Sequence, residues 1–209
     1  MSERREGFIP NPVLAGLVGI CPLIAVSRNL AEAAAYGLGS AFCAIVLGAV
    51  APPLRSVVAD RLQAPALLAL SASLALVYAF CVLLYSPAIA AGLWVYLPLL
   101  AVSGLSLSAL RRSASSLGRF GPDGQSRLGA ITLEALLFLL TATLVGSARE
   151  LIGLGTLTLP VPGLSPARLV FADAAPLGIL VSPAGGFIFL GFVVAAYRAI
   201  VGAGGRKSP

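Results

Sequence analysis

The sequence predicts an all-α integral membrane protein with six transmembrane helices. They form two inverted three-helix repeats, with helices 1 and 4 broken. Three observations lead there. Of 209 residues, 58% are hydrophobic and 11% charged, whereas a soluble domain carries about 25% charged residues. Several long uncharged runs follow one another, and these suit helices that satisfy their own backbone within lipid. The heptapeptide Cys-Pro-Leu-Ile-Ala-Val-Ser at 21–27 returns as Leu-Pro-Leu-Leu-Ala-Val-Ser at 97–103, with five of seven positions identical and Ile24 exchanged for Leu100. Paired, interrupted apolar segments in two halves of a chain mark inverted-repeat folds whose working site lies between the repeats.

The elements follow in order. Segment one, about 12–26, is short and interrupted by Gly16, Gly19 and Pro22. A span needs about 20 apolar residues, so this piece is a half-helix or runs past Val26 as irregular chain. Segment two covers about 33–50 and segment three, the cleanest apolar run, about 65–85. Segment four, about 89–110, holds Pro98; segment five runs from about 128 to 148 and segment six from about 176 to 200. The repeated heptapeptides fall in segments one and four, the same place in each half. An odd number of spans per half forces the halves to insert in opposite directions. The expectation is one transmembrane domain, 1–209, with repeat 1 at about 12–85 and repeat 2 at about 89–200. The polar stretch from Arg111 to Arg127 is too short to bury a core of its own. Met1 to Glu6 is charged and lacks a small-residue cleavage site after a short apolar run, so no removable signal peptide is expected.

The net charge of +6 follows topology rather than nucleic-acid binding. With the N-terminus inside, the cytoplasmic side holds 11 of the 14 Lys and Arg, leaving Arg28, Arg149 and Arg168 outside. The positive-inside rule then places both termini in the cytoplasm of a multi-pass inner-membrane protein. Trp94, Tyr96 and Tyr85 gather near the outer boundary, where amphipathic rings settle. The loop at about 149–175 is rich in Pro, Gly and Leu. It is expected to fold back on the membrane or pack against a partner subunit; a solvated loop is the alternative.

Few residues carry chemistry. There is no His, which excludes His-ligated haem, His-bound zinc and a His general base within this chain. No P-loop, dinucleotide fingerprint, zinc motif or Ser–His–Asp set occurs, so the chain does not look like a complete enzyme. Cys21, Cys43 and Cys81 lie in apolar segments and read by default as small buried hydrophobes. Cys21 differs because Pro22 disfavours helical geometry at the residue before it. A thiol at such a break suits a soft metal ligand; helix packing is the alternative. Glu134 lies about one and a half turns into segment five. It either faces a cavity or ion path, or reaches back to the headgroups. The adjacent Arg149 and Glu150 read as an interfacial anchor. Gly153 and Gly155 mark a sharp turn after them, and Gly185-Gly186 after Pro183 marks the tight start of segment six.

Three blocks then resemble one family. Gly19-Ile20-Cys21-Pro22-Leu23-Ile24-Ala25-Val26 resembles its Gly-x-Cys-Pro-Leu-x-Ala-Val segment. Gly146 to Leu157 resembles its Gly-Ser-x-Arg-Glu-x-x-Gly-x-Gly-Thr-Leu block. Pro183 to Ile188 resembles its Pro-x-Gly-Ala-Phe-Ile start of the last helix. The family is that of the six-span membrane subunits of the Rnf electron-transport complex and the sodium-pumping NADH:quinone oxidoreductase. The N-inside orientation matches the E-type subunits of the first and the D-type subunits of the second. The resemblance implies a membrane subunit that helps carry electrons across the bilayer, coupled to Na+ or H+ movement. It implies as partners an oppositely oriented six-span homologue and flavin-bearing subunits. It also implies a 2Fe–2S cluster shared with that homologue, each subunit giving two Cys.

Carried over residue by residue, Cys21 matches the first ligand, an iron ligand of the cluster. The second ligand should follow Pro98-Leu99 in segment four, where Leu105 stands, preceded by Ser103 and Gly104. Leu has no donor atom. Ser103, Ser106 and Ser108 are nearby hydroxyls, and the Gly-Arg-x-Glu pattern of the family is replaced by Ala109-Leu110-Arg111-Arg112. Three readings stay open: an electron-transfer subunit using Cys21, a cluster-free scaffold or assembly paralogue, and an independent inverted-repeat transporter for an ion or solute.

Overall fold

The computed structural model describes residues 24–103, 122–159, 167–171 and 178–204. Helix α1 runs Leu30–Val57, α2 Asp60–Tyr85, α3 Pro87–Leu93, α4 Pro122–Leu154 and α5 Pro183–Gly204. Two short strands, β1 at Thr156–Leu159 and β2 at Ala167–Val170, form an antiparallel hairpin between α4 and α5, with Thr156 opposite Val170. One 3-10 turn, Pro98–Val102, follows α3, and another, Gly178–Val181, precedes α5.

Three helical stretches are long and apolar enough to cross a membrane: Leu30–Leu54, Arg61–Tyr85 and Leu128–Leu154. Pro183–Ala199 is a shorter apolar helix. These match predicted segments two, three, five and six. Segment four is visibly discontinuous. Helix α3 stops at Leu93, and its bonding shifts from Leu97 N–H to Leu93 C=O (2.9 Å) to the tighter Leu100 N–H to Leu97 C=O (3.1 Å). Pro98 has no N–H to continue an α-helix, so the chain tightens into a 3-10 turn, the common solution at such points. Nearly all of segment one lies outside the described residues, apart from a helical turn at 24–26.

Helices α1 and α4 form the antiparallel centre of the molecule. Small residues let them approach: a Cβ on Gly146 would lie 2.5 Å from Ala33 Cβ, and one on Gly37 would lie 2.9 Å from Leu139 Cδ1. Such close approach through small residues is how helices associate in lipid, where water expulsion gives no help. The core between them and the broken segment includes Val26, Tyr36, Leu47, Leu93, Leu100, Ile131 and Phe138. Two side-chain bonds tie α2 to it. Tyr78 Oη donates to Ala35 C=O (2.5 Å), and Ser71 Oγ donates to Ala101 C=O (3.0 Å) in the 3-10 turn. The opposite face of α2 is bare: Leu76, Phe80 and Leu84, four residues apart, are 73%, 61% and 71% exposed. That stripe is apolar surface offered to lipid or to another subunit.

Four expectations are corrected. Helix α4 continues to Leu154, past the predicted end near 148, because no breaker intervenes before Gly155. Gly153 is therefore helical, and Gly155 alone turns the chain, at φ 65°, a left-handed conformation that glycine adopts without strain. Part of the long loop forms the short β1–β2 hairpin, and helix dominates the described residues, consistent with the all-α class. Cys81 is exposed on α2, not buried; Cys43 is fully buried in the core, as expected. Segment six starts later than predicted, at Pro183, because Gly178–Val181 forms its own turn first.

The α1–α4 contact supplies a test. Gly146→Val drives a branched side chain into Ala33 and the Asn29 carbonyl. Overpacking of this kind costs about 1–3 kcal/mol. The detergent-solubilised protein is expected to melt at a lower temperature, and a melting curve superimposable on wild type would contradict the packing.

Candidate functional site

The most heavily built polar site lies where α4 meets the N-terminus of α1. Its centre is Arg149, which has no exposed surface. The continuation of α4 beyond the predicted end places Arg149 inside a helix and against other pieces of chain. Its Nη1 donates to Ile24 C=O (2.7 Å) and to Ser27 Oγ (2.5 Å). Its Nε donates to Leu180 C=O (3.1 Å), and its Nη2 to the carbonyls of Leu180 (3.0 Å), Ser182 (3.1 Å) and Val181 (3.4 Å). A guanidinium carries five N–H groups in a fixed fork, and every nitrogen here meets at least one acceptor. A buried charge is tolerable only when dipoles or counter-charges replace its hydration. Here four backbone carbonyls and a hydroxyl do so.

Gly186 completes the cage. A Cβ at this position would come within 2.7 Å of Arg149 Nη2 and 2.9 Å of Cζ, so the guanidinium lies flat against bare backbone at the start of α5. Ser182 fixes the same start. Its Oγ donates to Ile179 C=O (2.6 Å) and accepts from Gly185 N–H (3.2 Å), the bond of a helix N-cap.

Glu150, the next residue, is equally buried but serves other partners. Its Oε2 accepts the Leu30 N–H (2.8 Å), 120 positions away in sequence. Its Oε1 accepts from Thr156 Oγ1 (3.3 Å) and from the Thr158 hydroxyl of β1. Asn29 stands at the N-cap position of α1 yet makes no side-chain cap bond; it donates instead to Glu32 Oε1 (3.2 Å). Glu150 thus caps α1 from another helix, and a carboxylate there also favours the positive end of the helix dipole.

The sequence-predicted residues fare differently. Arg149 and Glu150 are not an interfacial anchor but a buried two-way junction, because α4 runs past them. Glu134 is buried, 5% exposed, on α4; its carboxylate does not reach out to the surface. Gly185-Gly186 do form the tight start of α5. Ser103 is buried, whereas Cys21, Leu105, Ser106 and Ser108 lie outside the described residues. Sequence reasoning missed Ser27 and the carbonyls of 180–182. The available signal was the recurrence of Ser at the end of both heptapeptides, since Ser27 and Ser103 are both buried while Val102 is 60% exposed.

The resemblance implies an iron–sulfur cluster, and the donor atoms decide whether this chain suits one. No group of three or more His, Cys, Asp or Glu positioned to hold a metal occurs among the described residues. Cys43 is enclosed in the core and Cys81 is exposed on α2. Among the described residues, no donor set for a cluster is assembled.

Long apolar helices, a discontinuous segment and a buried polar junction between distant turns define a multi-span membrane protein. The family described as Rnf-Nqr subunit, membrane protein, matches residues 4–194, and the chain belongs to it. It is 28% identical over 195 residues, 93% of each chain, to the E-type subunit of the Na(+)-translocating ferredoxin:NAD(+) oxidoreductase complex of Acetobacterium woodii. It is 25% identical over 192 residues to the E-type subunit of the ion-translocating oxidoreductase complex of Pseudoalteromonas atlantica, covering 89% of this chain and 81% of that one. The corresponding protein of the same name from Pseudomonas paraeruginosa is 27% identical over 199 residues, covering 88% of this chain and 78% of that one.

Glu150 yields a direct expectation. Glu150→Gln keeps the size but cannot accept on both sides at once, leaving Leu30 N–H or the hydroxyls of Thr156 and Thr158 short of an acceptor. An unsatisfied buried partner costs about 1–3 kcal/mol. Thermal unfolding of the purified protein should shift down, with Glu150→Leu shifted further; equal stability of all three would contradict the capping role.

Proposed function

We propose that this chain is the E-type membrane subunit of an ion-translocating electron-transport complex of the Rnf kind, acting only with partner subunits. The observation that carries this reading is the family match over residues 4–194, which takes in both repeated heptapeptides and the Arg149–Glu150 junction. The names of the relatives, each a subunit of an ion-translocating oxidoreductase complex, support it.

The finer features belong to the same reading. Six spans form two inverted repeats, segments one, four and six joining the three long helices. Both termini face the cytoplasm across the inner membrane. The partners are an oppositely oriented six-span homologue and flavin-bearing subunits. Cys21 supplies the single thiol that this chain offers at the family's ligand position. The second reading, a cluster-free scaffold of the same complex, is favoured by Leu105 and by the lack of a substitute thiol among the described residues.

Deletion and complementation separate the two. Inverted membrane vesicles from cells lacking the gene should lose ion uptake driven by electron transfer, and the wild-type gene should restore it. In the complemented strain, Cys21→Ser should lower electron transfer by about tenfold or more, the loss expected when a residue of the transfer route is removed. Uptake that survives the deletion would sink the complex-subunit reading. A Cys21→Ser complex that assembles and turns over at the wild-type rate would leave the scaffold reading standing.

A further inference from the structure

The Arg149 cage joins pieces from opposite ends of the chain. Ile24 and Ser27 belong to the first heptapeptide; Leu180, Val181 and Ser182 belong to the turn before α5. The guanidinium contacts both sets at once, through Nη1 on one side and Nε and Nη2 on the other. Ile24 stands three residues after Cys21 in the sequence, so the 24–27 turn is the nearest described stretch to the family's ligand position.

We propose that Arg149 is a positioning residue: its guanidinium is a bridge that holds the 24–27 turn against the 178–182 turn and so sets the first broken segment for electron transfer. The inference rests on the functional reading above, and it assigns the work to geometry rather than charge. A Lys at 149 would keep the charge, but its single ammonium cannot reproduce a planar fork that bonds on two sides. Gly186 is part of the same device, since any side chain there displaces the guanidinium. Ser27 is its partner on the first segment, and removing its hydroxyl leaves Ile24 C=O to hold that side of the bridge.

Hydrogen–deuterium exchange of the purified whole complex reads the bridge without labels. The variants are Arg149→Lys, Ser27→Ala and Gly186→Ala, with Ser73→Ala on the exposed face of α2 as control. Losing a buried charge-assisted bond opens the local structure by an amount worth about tenfold in exchange rate. The expected result is exchange about tenfold faster in peptides covering 24–31 and 178–186, with peptides of 61–85 unchanged. Turnover should fall in kcat with KM for the electron donor unchanged, and the control should behave as wild type.

Exchange at the wild-type rate in Arg149→Lys overturns the bridge, because charge alone would then suffice. Should that variant fail to assemble, Ser27→Ala and Gly186→Ala decide, and unchanged exchange in both overturns it. Faster exchange with undiminished turnover overturns the positioning role, as does lost turnover with unchanged exchange. Failure of the functional reading shows separately, in the deletion strain and in Cys21→Ser carrying a wild-type Arg149.

Discussion

Burying a guanidinium in an apolar bundle is the constraint that organises this molecule. The charge cannot be left bare, so the fold brings oxygen atoms to it from two distant turns. Those turns are irregular for the same reason. The Leu180 carbonyl lies in a 3-10 turn and accepts twice from Arg149, while the Ser182 carbonyl, at the cap of α5, accepts from both Gly186 N–H and Arg149. The breaks in the apolar segments and the buried cation therefore satisfy one another. Non-helical backbone at membrane depth persists only where protein or water meets its polar groups.

Glu150 applies the same logic to donors. The first N–H groups of a helix have no partner within it, and α1 begins at Asn29 and Leu30, which are half-buried. A carboxylate from α4 closes that end and holds β1 through two threonines. Adjacent residues of opposite charge thus look after opposite kinds of backbone end: Arg149 collects carbonyls and Glu150 collects donors. The α1–α4 contact that carries them is tight through Gly37 and Gly146, while α2 stands to one side with an apolar face outward.

How much of this could be read in advance depends on the range of the interaction. The helices were legible because their signal is local: long apolar runs, ended by Pro, Gly or charge. The break at Pro98 was legible because proline removes an N–H wherever it stands. The extent of α4 was not, since charge inside an apolar run ordinarily marks the end of a span. What allows Arg149 and Glu150 to continue the helix is supplied by Ile24, Ser27, Leu30 and residues 180–182. The contacts from Arg149 to the first segment and from Glu150 to Leu30 reach across 120 or more positions, and nothing near 149 in the sequence announces them. The exposed position of Cys81 was hidden for a related reason. In a span that is apolar all round, composition does not tell which face turns inward.

The far-reaching contacts of the junction also order events in time. As the chain leaves the ribosome, α1 emerges with the start of its helix uncapped, and the acceptor for Leu30 N–H is made only after about 120 further residues. Arg149 arrives with it but meets the rest of its acceptors only when 180–182 follow. Domains gain stability as complete units during synthesis. A nascent subunit of this kind therefore carries an unmatched cation and an unfinished helix end until its last span is in place. Quality control in the membrane would meet a cation short of acceptors in a partial chain and a matched one in a finished chain.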